Sequence, residues 1–247
     1  MSSQGQHRRT PKVRPLDRDV SIRYTGRMSS FYNHVTDWLS VGGDLNLAQD
    51  LTGQDFSVTI KELQAEGVTH VLDVRSEWDD RAEWLAEGLA DENYCYVPII
   101  DHQGHIPDER WFTAVEEFVH RFWMDSVEGD RLYVHCHMGI NRAPSTAMLA
   151  MLTVDPLTHP LDAFLAIRKE RPAAGLVYAE AVGIRHLLDV EGLTAEELIE
   201  TGELPESVVL FSAAMDNYWT AEMIQEVNRG IAYYRDAEGG TLIVDAK

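Results

Sequence analysis

The 247 residues are 45% hydrophobic and 25% charged, with a formal net charge of −20, which fits a folded, soluble chain with room for one substantial α/β core and extensions at its ends. No run approaches the ~18 uninterrupted apolar residues of a membrane span, and the basic opening stretch Met1 to Arg14 leads into no apolar segment of the export-signal kind. The expected compartment is the cytoplasm, where the two cysteines, Cys95 and Cys136, are too few for a disulfide framework and one of them can serve as a reagent.

The charge is unevenly placed. Residues 1–34 hold seven Arg/Lys and two Asp/Glu, leaving 14 basic against 39 acidic residues in the rest, a net −25. Such a body repels nucleic acid and anionic membrane, so neither is an expected partner, and any anion site within it needs a locally positive pocket.

Along the chain, residues 1 to about 30 are rich in Ser, Gln, Arg and Pro and read as a mobile tail. Trp38 to Val41 reads as a strand ended by Gly42-Gly43, Phe56 to Ala65 as a helix closed by Gly67, and Val68 to Val74 as a buried strand. Asp80 to Leu89 reads as helical and Tyr94 to Ile100 as extended. Phe112, Val115, Phe118, Val119 and Phe122 mark an amphipathic helix between Pro107 and Ser126. The strand Arg131 to His135 precedes a helix from Ala143 to Val154, with two more helices at Leu161 to Glu170 and Val177 to Val190. This alternation predicts an α/β fold: a central, mostly parallel mixed sheet with helices on both faces. Thr194 to Glu197 forms a capping box, Tyr218 to Tyr234 reads as one longer helix, and Thr241 to Val244 as a short extended end.

Between strand and helix lies His135-Cys136-His137-Met138-Gly139-Ile140-Asn141-Arg142. A thiolate attacking a phosphate monoester needs a lowered pKa, a cradle for phosphoryl oxygens and a cation shaped to hold two of them. Cys136 at the end of a strand faces an anion nest of loop amides and the positive end of the next helix. Such surroundings take a cysteine from about 8.5 to roughly 3.5–7.5. Gly139 lets the loop wrap closely, and Arg142 can fold its planar fork back over the loop.

His-Cys, five residues and Arg resembles the signature of the protein tyrosine phosphatase superfamily, with dual-specificity phosphatases the most similar branch, over about residues 36 to 190. The resemblance implies a cysteine-phosphatase fold, no metal or other cofactor, and hydrolysis of phosphotyrosine, and of phosphoserine or phosphothreonine, through a phosphocysteine. By resemblance Cys136 is the nucleophile and Arg142 the clamp. The amides of His137, Met138, Gly139, Ile140, Asn141 and Arg142 form the cradle, and His135 orients the loop. The family's general acid is an aspartate on a loop before the cysteine. Asp101, after the extended Val97-Pro98-Ile99-Ile100, matches it, with Asp108 as the alternative whose other role is the first turn of the next helix. One departure is Ala143, where the family usually places a hydroxyl that assists breakdown of the intermediate. The phosphatase of regenerating liver family also reads Arg-Ala-Pro there.

The implied division is a basic tail over 1–30, a dual-specificity-phosphatase-like catalytic domain over 31–190, and an acidic, mainly helical extension over 191–247, which holds 12 acidic and three basic residues. The extension either packs on the catalytic domain or docks a protein partner. The expected partner is a phosphorylated protein or another phosphomonoester. His135, Cys136 and His137 are consecutive in a tight turn and cannot converge with His102 and His105 on one metal ion. His102 and His105 otherwise read as exposed loop residues, and Cys95 as a small core residue. The rival readings are a phosphoprotein-binding module without turnover and a phosphatase for a non-protein monoester.

Overall fold

The computed structural model describes residues 31–53, 55–101, 107–228, 231–235 and 241–245; the expected tail over 1–30 and the loop histidines His102 and His105 lie outside them. Five short strands, β1 Tyr32–His34, β2 Leu39–Gly42, β3 Val68–Asp73, β4 Tyr94–Tyr96 and β5 Arg131–His135, form one sheet in the order β1-β2-β5-β3-β4. β1 and β2 pair antiparallel, and every other pairing is parallel. The C-terminal ends of β2, β5 and β3 therefore lie side by side at one edge of the fold.

Both faces of the sheet are covered, as the strand pattern requires. Side chains alternate along a strand, so Leu132 and Val134 of β5 join Leu39, Val41 and Leu72 on one face, while Tyr133 turns to the other with Val71. On the first face lie α4 Glu109–Asp125, α5 Arg142–Val154, α6 Pro160–Glu170 and α7 Ala179–Glu191; on the second lie α1 Leu45–Thr52, α2 Phe56–Ala65 and α3 Arg81–Ala86. Each apolar side chain fully buried in these layers contributes about 1.5–3 kcal/mol. Asp108 starts α4 by accepting from the Trp111 amide at 2.9 Å, and the helix turns Phe112, Val115, Phe118, Val119 and Phe122 inward. In α5 every residue from Arg142 to Ala150 is buried, the mark of a helix enclosed on all sides. Its first turn is held rigidly behind the loop that precedes it.

The structure departs from the sequence reading in three places. β1 and α1 form where no element is expected, both too short to show a period. The long helix is α9 Glu206–Asn228, starting twelve residues before Tyr218, and the expected helix end at Tyr234 is instead strand β6 Ile231–Arg235, paired antiparallel with β7 Thr241–Asp245. Val208, Phe211 and Met215 give α9 its buried stripe at helical spacing, whereas Ile-Ala-Tyr-Tyr-Arg is rich in strand-forming residues. α8 Ala195–Thr201 carries the expected capping box of Thr194 and Glu197. Phe211 of α9 presses on Gly183 of α7, where an added Cβ would come within 2.3 Å of the ring. Among the described residues, no helix is long and apolar enough to cross a membrane.

Candidate active site

The loop from β5 to α5 has its outward carbonyls tied back by three other segments. The Val74 amide donates to His135 O at 3.0 Å, the Asp44 amide to His137 O at 3.0 Å, and the Gly175 amide to Ile140 O at 2.7 Å. Arg171, buried beneath the loop, donates to the carbonyls of Met138 and Gly139. Within α5, the hydroxyls of Ser145 and Thr146 take the carbonyls of Asn141 and Arg142, each at 2.8 Å. With the carbonyls held outside, amides turn inward: that of Gly139 donates to Cys136 Sγ at 3.3 Å. Gly139 sits at φ 65°, and a Cβ there would lie 2.4 Å from the Gly42 backbone, so the turn requires glycine.

Arg142 is 2% exposed, and its fork is engaged. Nη1 and Nη2 donate to the two Glu77 oxygens at 2.7 and 2.9 Å, the two-point contact that a planar guanidinium makes with a phosphoryl group as well as with a carboxylate. Its Nε lies 3.5 Å from Asp101 Oδ2. Hydrogen bonding to Arg142 holds the Glu77 carboxyl down to about 2. Burial pushes the Cys136 thiol up, opposed by the Ala143 amide, the Arg142 charge and the Gly139 amide. This runs against the expected lowering: desolvation disfavours the thiolate, and the Asp101 charge adds to it.

Asp101 reaches this point because the chain continues β4 past its end, with the Val97 amide donating to Asp73 O and the Ile99 amide to Val74 O. Tyr178 donates its hydroxyl to Ile100 O, and Asn141 Nδ2 donates to Asp101 Oδ1 at 3.4 Å. Asp108 instead caps α4. His135 is fully buried and stacked on Tyr133, ring centroids 5.1 Å apart. His137 Nδ1 lies 2.6 Å from Asp44 Oδ2, and its ring meets the edge of Trp78. Met138 is exposed, and Ile140 is half-buried near Gly175. Ser145 Oγ also accepts from the Tyr178 amide, so its hydroxyl serves the backbone behind the loop. Cys95 is a free, half-buried thiol packed on the core.

Sequence reasoning missed Glu77, Arg171 and a buried group of Asp44, Asp73, Arg75 and Asp80. A signal was present: charged residues follow the ends of parallel strands, where sites in such sheets gather. Oxygen and nitrogen atoms of Asp73, Asp80 and His135 lie within 4.8 Å of one another, a spacing compatible with metal ligation. The Arg75 guanidinium is the cation between the carboxylates, with Nη2 at 2.7 Å from Asp73 and 3.0 Å from Asp80.

No family model matches the chain. Over 129 residues it is 33% identical to dual specificity protein phosphatase 26 of Bos taurus and 32% identical to the Homo sapiens protein of that name, covering 51% of this chain and 56% of each relative. The chain thus matches little more than half the length of these curated relatives. Among solved structures, it is similar to PTPMT1 in complex with PI(5)P (15% identity, 65% of this chain and 99% of that chain, TM-score 0.48) and to human DUSP28 (15% identity, 65% and 95%, TM-score 0.48).

Proposed function

We propose that the chain, which over about half its length is similar to a dual specificity protein phosphatase, is a dual-specificity-phosphatase-like member of the protein tyrosine phosphatase superfamily and hydrolyses phosphate monoesters through a phosphocysteine on Cys136. The observation that carries this reading is the Gly139 amide donating to Cys136 Sγ at 3.3 Å, with the Arg142 guanidinium and, 3.5 Å from its Nε, the Asp101 carboxylate at the same loop. The sulfur attacks phosphorus, the P–O bond to the leaving group breaks, and Asp101 supplies the proton to that oxygen. Asp101, now a carboxylate, takes a proton from water, which attacks phosphorus and releases the thiolate. The loop amides and Arg142 hold the charge on the transferring group.

The substrate is a phosphorylated protein, phosphotyrosine first, with phosphoserine and phosphothreonine as further substrates. Exposed Trp78, Ile100 and Met138 offer apolar contact at the mouth, while Glu77, Asp101 and the acidic body disfavour polyanions. Release of inorganic phosphate from a phosphotyrosyl peptide, lost in Cys136→Ser, tests this. No release at any pH from 5 to 8 would overturn it.

A second reading is favoured by specific observations. Ala143 in place of a hydroxyl and the acidic surface around the loop suit a module that binds phosphoprotein with little turnover. Tight peptide binding without phosphate release would select it.

A further inference from the structure

Both residues flanking Cys136 rest on the same buried charges. On one side, the His135 ring nitrogen Nε2 lies 3.6 Å from Asp80 Oδ1 and 4.0 Å from Asp73 Oδ1. On the other, Asp44 holds His137 twice, by its amide on the carbonyl at 3.0 Å and its carboxylate on Nδ1 at 2.6 Å. Arg75, with no exposed surface, joins the two halves. Its backbone amide and Nε each donate to Asp73 Oδ1 at 3.0 Å, Nη2 reaches Asp73 and Asp80, and Nη1 lies 3.5 Å from Asp44 Oδ2. The Tyr94 hydroxyl lies 2.8 Å from both Asp73 and Asp80.

Three carboxylates around one guanidinium, all out of water, add little net stability compared with an apolar core of the same shape. Their position directly under the loop suggests a different use. We propose that Asp44 and Arg75 are positioning residues that set the anion-binding geometry of residues 135–142, Asp44 through His137 and Arg75 through Asp44 and the two aspartates facing His135. This rests on the reading of that loop as an anion cradle. Misplacing such a cradle by about 1 Å costs up to about a hundredfold in the step it serves.

Charge and position pull in opposite directions at Asp44, and that makes the test decisive. Removing a buried carboxylate near an anion site strengthens anion binding if charge alone matters, and weakens it if the carboxylate positions the loop. The experiment is calorimetric titration of the full chain with inorganic tungstate, alongside thermal melts, for wild type, Asp44→Asn and Arg75→Lys. Asp44→Asn should bind tungstate about tenfold more weakly at a temperature well below its own melting temperature, which itself should fall because buried Arg75 loses a carboxylate. Arg75→Lys, which keeps the charge and loses the fork, should weaken binding in the same direction. Equal or tighter binding by Asp44→Asn overturns the proposal, and if Arg75→Lys fails to fold, Asp44→Asn alone decides. Wild type that binds tungstate but releases no phosphate from peptide would overturn the hydrolytic reading and leave this one standing.

Discussion

Glu77 and Arg142 meet by two parallel hydrogen bonds of 2.7 and 2.9 Å across 65 residues of chain, so the cation that should serve the thiol also serves a carboxylate. Replacing Glu77 with Gln keeps the shape and removes the charge. The Arg142 charge is then shared only between Cys136 and Asp101, and the pH midpoint for alkylation of Cys136 by iodoacetamide should fall by about half to one pH unit. A rise would show that Glu77 matters chiefly for holding Arg142 in place. The pair itself has a defined window: with Glu77 held below its ordinary value, at about 2, its contribution is fully present above pH 5 and is lost only as pH falls toward 2. A limb of the pH-rate profile between 5 and 9 therefore belongs to another group.

Asp101 stands 3.5 Å from Arg142 Nε while Asp108 is committed to its helix cap. Asp101→Asn should lower turnover by roughly 10²–10⁴ on an ester with a poor leaving group and far less on an activated aryl phosphate. Equal losses on both would assign Asp101 a structural role.

Gly139→Ala places a Cβ against the Gly42 backbone in a left-handed turn. The variant should lose phosphate release almost completely and destabilise the fold by about 1–3 kcal/mol, read by denaturant titration. Normal activity in that variant would show that the turn relaxes without harm to the cradle.

Ala143 carries no hydroxyl at the start of the helix behind Cys136. If hydrolysis of the intermediate is the slow step, the wild type should show a burst of one equivalent of leaving group, and Ala143→Ser should raise the steady rate. One hydrogen bond to a charged sulfur is worth about 1.5–3 kcal/mol at most, and only the part realised in the transition state appears as rate. No burst, with a serine variant no faster, would show that the missing hydroxyl is simply tolerated.

The parts of the site that lie close together along the chain are legible in the sequence itself. β5, the loop and α5 follow one another, so the spacing of Cys136, Gly139 and Arg142 between a strand and a helix already describes an anion cradle. Glu77, Arg75, Asp44 and Arg171 are not legible in this way because each comes from a different stretch of chain. Only the parallel order β2-β5-β3 brings Asp44 and Glu77 to either side of the loop. Burial is hidden for the same reason: the amides and helix start near Cys136 argue for a thiolate, and the enclosure of α5 that opposes it arises from packing. In α9 the apolar stripe of Val208, Phe211 and Met215 is present in the sequence but diluted among Ser, Ala and acidic residues.

The central claim is a covalent phosphoryl group on Cys136. Mixing the chain with a phosphotyrosyl peptide, quenching in denaturant at alkaline pH within the burst, and locating the phosphoryl group by peptide mass tests it directly. The group should appear on the peptide carrying Cys136 in wild type and be absent from Cys136→Ser. Steady phosphate release with no phosphoryl group on Cys136, or with one on a histidine, would contradict the account.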